Sequence, residues 1–320
     1  MADKTPTLAH RAQYAALRAF IGGLGLVGWR TAGALGGALG RLGYAPLGIR
    51  RALVEEHLRR CFPDWDEPRV RDVARASYAH LARVTIEASL LANEGEAGVM
   101  RRFEPCPDWG VVEAALAEGK GICMVTGHFG NWELAGAYCA ARLTRAGSGL
   151  EAIVRSQSNP LFERYINRAR EALGMIVVPD AEAVRRTPRA LKSGRAVAFV
   201  MDQGVIGLAS TFVPFFGRLA KTPRGPAVFA LRFGSPVVFA AAVRQPSGQY
   251  RLHLERVPVT PVGDRDYDVD MIVAAYTATL EKWVRQYPEQ YFWQHRRWKH
   301  APPEGTTWPP APPALSAASA

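Results

Sequence analysis

The sequence predicts an α/β protein: a mostly parallel or mixed central sheet flanked by helices, preceded by an apolar helical segment. Three observations predict it. Across residues 109–202, short runs rich in β-branched residues alternate with longer stretches of helical periodicity, the pattern of strands joined by crossover helices. Across residues 67–91, apolar residues recur at helical spacing (Val70, Val73, Ala74, Tyr78, Leu81, Val84), which marks a long amphipathic helix. Two β-rich runs, 237–243 and 250–257, flank Gln245-Pro246-Ser247-Gly248, an antiparallel hairpin signal.

The elements follow in order. Residues 1–11 are polar and expected to fray. Residues 14–49 are apolar and rich in Gly and Ala, broken by Arg18, Arg30 and Arg41. The uncharged runs between these arginines are about ten or eleven residues, against roughly twenty needed to span a bilayer. A helix or helical hairpin lying in a membrane interface, its arginines snorkelling, is the expectation. Gly33/Gly37 and Gly36/Gly40 are spaced for close helix approach. A short helix over 50–61 ends at Phe62-Pro63, and its His57 is placed on a solvated face. Helix 109–118 leads to strand 121–125. Helix 131–145, strand 150–154, helix 160–173 and strand 175–178 follow. A helical stretch over 181–192 is interrupted by Pro188, and strand 196–201 runs into Asp202. Helix 267–286 closes the core. The division expected is 1–49 as a hydrophobic membrane-associating segment, 50–300 as the α/β domain, and 301–320 as a disordered Pro/Ala-rich tail.

With 40 Lys and Arg against 29 Asp and Glu, the formal charge is +11, which favours acidic partners. The basic residues are scattered in doublets without a nucleic-acid-binding signature, which argues against nucleic acid. The cysteines, Cys61, Cys106, Cys123 and Cys139, form no CxxC pair and read as buried thiols of a reducing compartment, without a zinc pattern. No G-x-S-x-G elbow, P-loop, HExxH or dinucleotide fingerprint is present,.

The chemistry concentrates in Thr126-Gly127-His128-Phe129-Gly130-Asn131-Trp132-Glu133. His128 falls at the carboxyl end of a strand, where open α/β sheets place ligands. Asn131 is a plausible N-cap of the next helix, with Glu133 in its first turn. On one continuous helix five residues turn the chain by roughly 500°, pointing His128 and Glu133 apart. A strand, a glycine turn through Gly127 and Gly130, and a new helix can instead fold the carboxylate back onto the imidazole. A carboxylate on one ring nitrogen leaves the other to take a proton from a hydroxyl.

This octapeptide resembles the His-x4-Asp/Glu motif of glycerolipid acyltransferases, and HFGNWE resembles the version in the late (secondary) lipid A biosynthesis lauroyl/myristoyl acyltransferases. The resemblance implies that His128 is the general base and Glu133 its partner, and places Gly130 and Asn131 among substrate-binding residues. Further matches extend it over roughly residues 50–299. Arg155, at the end of strand 150–154, suits bidentate phosphate contacts. Asp202 either orients Arg155 or an acceptor hydroxyl, or serves as a loop hydrogen-bonder. In the block 213–225 the apolar residues suit an acyl-chain wall, and Lys221 and Arg224 present charge. The ending Gln290-Tyr291-Phe292-Trp293-Gln294-His295-Arg296-Arg297-Trp298-Lys299 interleaves aromatics with cations. It suits packing through Trp293 while Arg296, Arg297 and Lys299 face anionic headgroups.

What the resemblance implies is direct acyl transfer to a glycolipid hydroxyl, with no metal, cofactor or covalent intermediate. It also implies an acyl carrier protein thioester (or acyl-CoA) as donor and attachment to the cytoplasmic side of an inner membrane. A phosphatidylinositol mannoside, an aminolipid or a lysophospholipid is the alternative acceptor. An inert lipid-binding homologue and a thioester hydrolase are the readings from other classes.

Overall fold

The computed structural model describes residues 5–91, 95–204 and 209–310. It opens with a helical hairpin, α1 (Leu8–Gly25) and α2 (Trp29–Tyr44). α1 starts where the chain was expected to fray, because the Thr7 hydroxyl accepts from the His10 backbone N–H in a capping box,. α3 (Arg51–Cys61) and α4 (Glu67–Leu91) follow. The glycines of α2 let it lie on α4. A Cβ at Gly33 would stand 2.7 Å from a Glu87 carboxylate oxygen, and one at Gly36 2.8 Å from Ile86. Gly37 faces Arg83 and Gly40 the Tyr78 backbone. No helix among the described residues is long and apolar enough to cross a membrane.

The core alternates as expected: α5 (Gly95–Arg101), α6 (Gly110–Ala117), β1 (Ile122–Thr126), α7 (Trp132–Arg145), β2 (Leu150–Val154), α8 (Pro160–Ala172), β3 (Met175–Pro179), α9 (Ala183–Lys192) and β4 (Ala196–Val200). A two-stranded ribbon, β5 (Ser210–Phe215) and β6 (Arg218–Pro223), precedes α10 (Gly225–Phe233), β7 (Val237–Arg244), β8 (Tyr250–Val257) and α11 (Arg265–Gln286). The main sheet has the order β3-β2-β4-β1-β7-β8, parallel except for β8. β1 is therefore central, and both its faces are covered. Ile122 and Met124 pack with α6 and α7, while Cys123 and Val125 pack with α9, α10 and α11.

Several local expectations change once distant chain segments arrive. α9 runs on through Pro188 because buried Thr187, Ala190 and Leu191 anchor it, so one lost ladder bond is tolerated. The block 213–225 is largely the β5–β6 ribbon, turning through Phe216 and Gly217, both at positive φ, as a two-residue hairpin turn requires. Phe215 and Phe216 are core residues packed against Trp298 and Trp293, not a wall facing a ligand. His57 is buried rather than solvated: its Nδ1 lies 3.2 Å from the Trp293 carbonyl, because the C-terminal segment covers α3. Trp293 is fully buried, as expected. All four cysteines are free thiols, three of them buried. Of the tail, residues 301–310 follow the core, with Trp308 packed against it; residues 311–320 lie outside the described residues.

Candidate active site

β1 and β4 are parallel and in register from Ile122↔Ala196 to Thr126↔Val200, and the Met201 N–H donates to the Thr126 carbonyl at 2.8 Å. Two residues beyond each strand end stand His128 and Asp202, so the register itself brings them together. His128 Nδ1 lies 2.6 Å from Asp202 Oδ1, and the His128 backbone N–H donates to Oδ2 at 3.0 Å. An ionised carboxylate only accepts, so Nδ1 carries the proton and Nε2 is left bare. The His128 side chain is 21% exposed and that of Asp202 3%. The Gln203 amide nitrogen is 3.3 Å and 3.4 Å from the two ring nitrogens, which puts it over the ring face. Trp132 and Phe292 flank the ring at centroid distances of 5.0 Å and 5.8 Å.

Burial works against the charged imidazole. The charge and hydrogen bond of Asp202 outweigh it, with Glu133 adding charge, and the His128 pKa is raised. Burial also pushes the Asp202 carboxyl up. His128, Arg297 and the His128 N–H more than offset that and hold it below the ordinary carboxylate value. Such an arrangement is chemically suited to serve as a base and its orienter.

The expected pairing of His128 with Glu133 is therefore replaced. The first turn of α7 aims Glu133 at α8, where Arg170 grips it through Nε–Oε2 at 3.0 Å and Nη2–Oε1 at 2.6 Å. That bidentate fork satisfies the carboxylate. Glu133 reaches His128 through its field alone.

Gly130 and Asn131 are not open to substrate. Gly130 sits at φ 58°, and a side chain there would run into the Ala242 carbonyl oxygen. Its N–H donates to the Gln290 carbonyl, and its carbonyl accepts from His80 Nε2 at 3.2 Å. Asn131 is the N-cap, accepting from the Leu134 N–H at 3.1 Å, and is 1% exposed. Both residues shape the turn rather than touch a ligand.

Arg224 is likewise taken: Asp266 lies at 2.8 Å and Asp270 at 3.0 Å. Arg297 was expected to face headgroups but is buried, donating to the Lys221 carbonyl at 2.6 Å and the Thr222 hydroxyl at 2.7 Å. Its charge is spent beside Asp202. Arg296 and Lys299 are exposed. Arg155 stands exposed just past β2, on the sheet edge that carries His128.

Beside the turn, between the sheet and α7, runs an apolar slot. Met124, Ala152, Ala198 and Val200 floor it, Gly136 and Cys139 roof it, and Thr126, Trp132 and the Glu133–Arg170 pair stand at its polar end. Trp132, at that polar end, is also the residue whose ring stands 5.0 Å from that of His128. Sequence reasoning missed the slot because its lining comes from five strands and two helices. Asp202 was singled out, but to orient Arg155 or an acceptor hydroxyl or to bond within its loop, not as the partner of His128.

The chain is similar to known proteins over most of its length. The family of bacterial lipid A biosynthesis acyltransferases matches residues 3–300. The lipid A biosynthesis lauroyltransferase of Escherichia coli is 26% identical over 272 residues, covering 84% of this chain and 85% of that protein. The palmitoleoyltransferase of the same organism is 26% identical over 271 residues, with the same shares covered. A phosphatidylinositol mannoside acyltransferase of Mycobacterium tuberculosis is 30% identical over 131 residues, 40% of each chain.

Proposed function

Because this chain belongs to the bacterial lipid A biosynthesis acyltransferase family, and is thus an O-acyltransferase, we propose that it moves a fatty acyl chain from an acyl carrier protein thioester to a hydroxyl of a lipid A precursor or similar glycolipid. The observation that carries the reading is the His128 imidazole, its Nδ1 held by Asp202 at 2.6 Å and its Nε2 left unprotonated, beside Trp132 at the polar end of an apolar slot. In the reaction, Nε2 takes the acceptor hydroxyl proton as the oxygen attacks the thioester carbonyl. Collapse of the tetrahedral intermediate breaks the C–S bond, and the departing thiolate recovers the proton from the imidazolium. Asp202 stabilises that imidazolium. The Glu133–Arg170 pair flanks the slot end, where Arg170 supplies positive charge near the developing oxyanion.

Attachment to the cytoplasmic side of an inner membrane is part of the same proposal. It is supported by the surface of the N-terminal hairpin. Among the described residues, nine of thirteen exposed large hydrophobic side chains, including Leu26, Leu39 and Leu47, lie between Leu8 and Ile49. Clustering of that kind marks an interaction surface, and interfacial arginines suit anionic lipid. Arg155 is proposed to meet a headgroup phosphate.

The test is transfer from a defined acyl carrier protein thioester, with and without a lipid A precursor, read by lipid mass spectrometry. Acylated acceptor from the wild type and none from His128→Ala supports the proposal. Equal thioester loss without acceptor would make it a hydrolase. The mycobacterial similarity supports a second acceptor class, and a phosphatidylinositol mannoside acylated in preference to the lipid A precursor would establish it.

A further inference from the structure

Beneath the catalytic turn lies a carboxylate that the reaction does not use. Glu87, on α4, is 0% exposed. The Tyr250 hydroxyl donates to its Oε2 and accepts from Asn131 Nδ2 at 3.3 Å. Asn131 is the N-cap three residues past His128. A second route leaves the same carboxylate through Arg244, whose guanidinium lies 3.4 Å from Oε1. The Arg244 backbone is clasped on both sides by the Gln290 amide, at 2.9 Å each. The Gln290 carbonyl in turn accepts from the Gly130 N–H at 2.9 Å. Both routes end on Gly130-Asn131. One helical face of α4 adds His80, which donates to the Gly130 carbonyl.

The other side of Glu87 faces the N-terminal hairpin. Its Oε1 is what a Cβ at Gly33 of α2 would meet at 2.7 Å, and Arg83, one turn away, donates to the Gly33 carbonyl at 3.2 Å. Folding stability alone does not call for such a group, since buried ionic clusters are often replaceable by well-packed apolar residues without loss. What a fully bonded network supplies is a fixed geometry. We infer that Glu87 is a positioning residue: through Tyr250–Asn131 and Arg244–Gln290 it fixes the turn that carries His128, and through Gly33 it ties that turn to the seating of α2. How the N-terminal hairpin sits thereby sets how well the base is aimed.

The inference rests on His128 being the base, so the test carries a readout that does not. In the full-length enzyme, kcat and KM for thioester and acceptor are measured alongside the NMR titration of the His128 imidazole. The variants are Tyr250→Phe, Glu87→Gln and Gly33→Ala, with Gly43→Ala as the control. A Cβ at Gly43 meets only Tyr78, at 3.4 Å. Tyr250→Phe is expected to lower kcat about 10- to 100-fold, the scale of a misplaced catalytic group, with KM little changed. The His128 titration should move to lower pH as the bond to Asp202 loosens.

Gly33→Ala should shift both readouts in the same direction, although it lies on α2 and touches no group of the site. The double variant Tyr250→Phe/Glu87→Gln should be little worse than Tyr250→Phe, because both remove one pathway. Should Tyr250→Phe fail to fold, Gly33→Ala decides, since alanine is the stronger helix former. Unchanged kcat and unchanged His128 titration in folded Gly33→Ala, or losses confined to KM, would overturn the inference. Titrations that move while His128→Ala stays active would keep the coupling and sink the assignment of the base instead.

Discussion

Asp202→Asn and Glu133→Gln separate the two carboxylates near His128. In Asp202→Asn the isosteric amide can turn its NH2 toward the ring or its carbonyl, and nothing fixes the proton on Nδ1. The wild-type geometry, 2.6 Å to Nδ1 and 3.0 Å to the backbone N–H, shows how much rests on that one group. Loss of the orienting carboxylate in a serine protease triad costs about 10⁴ in kcat, equivalent to about 5 kcal/mol of activation energy. A loss of about 10³- to 10⁴-fold is the expectation here. The pH profile supplies the sign. Transfer needs His128 unprotonated, so activity rises with pH through its pKa. Burial lowers that pKa, and Asp202 is the main opposing influence, with Glu133 lesser. Removing the Asp202 charge leaves burial dominant, and the acidic limb of kcat/KM moves to lower pH, past the ordinary imidazole value.

Glu133→Gln keeps the His128–Asp202 bond and breaks only the fork to Arg170, so a loss of about 10-fold is expected, with the limb displaced slightly in the same direction. The assay is transfer from a radiolabelled thioester across the pH range, on variants with wild-type melting temperature. The reasoning is refuted if Asp202→Asn keeps activity within about threefold and an unmoved limb while Glu133→Gln abolishes turnover. His128 would then pair with Glu133 in the working enzyme.

Gly130→Ala forces a side chain onto the Ala242 carbonyl at a backbone conformation that disfavours it; it should cost at least about 2 kcal/mol in urea unfolding. Gly136→Leu narrows the slot against Met175, whose sulfur already stands 3.0 Å from a Cβ there. Competition between thioesters of different length should then favour shorter acyl chains, and an unchanged preference would place the acyl chain elsewhere. Leu26→Asp with Leu39→Asp removes two exposed apolar side chains; co-sedimentation with anionic vesicles should fall several-fold at unchanged melting temperature, and undiminished binding would remove the hairpin from the membrane contact.

Much of the fold was legible because its signals are local. Strand 121–125, the N-cap at Asn131 and the hairpin before Tyr250 each depend on residues within one window, and each is found where the pattern put it. Less legible was anything settled by which strands lie side by side. His128 and Asp202 are 74 positions apart, and only the in-register pairing of β1 with β4 makes them neighbours. The same limit explains the misplaced cations and the misplaced histidine. Arg224, Arg297 and His57 have no polar partner nearby in sequence, so each looked solvated or ligand-facing. Their partners are Asp266 and Asp270, the Lys221 carbonyl and Thr222, and the Trp293 carbonyl.

A motif spacing can also hide a division of labour. Five residues from imidazole to carboxylate read as a bonded pair, since a glycine turn permits it. Here the turn permits something else. Gly130 brings the backbone against β7, where Asn131 caps α7, and the first helical turn then carries Glu133 toward the slot and Arg170. A carboxylate bonded to His128 and also forked on Arg170 would have to serve two directions at once. Asp202, delivered by the neighbouring strand and kept ionised by His128, Arg297 and a backbone N–H, leaves Glu133 to hold an arginine where acyl transfer develops negative charge. In the proposed mechanism both carboxylates then act on the reaction, one through the proton on the ring and one through the cation at the slot.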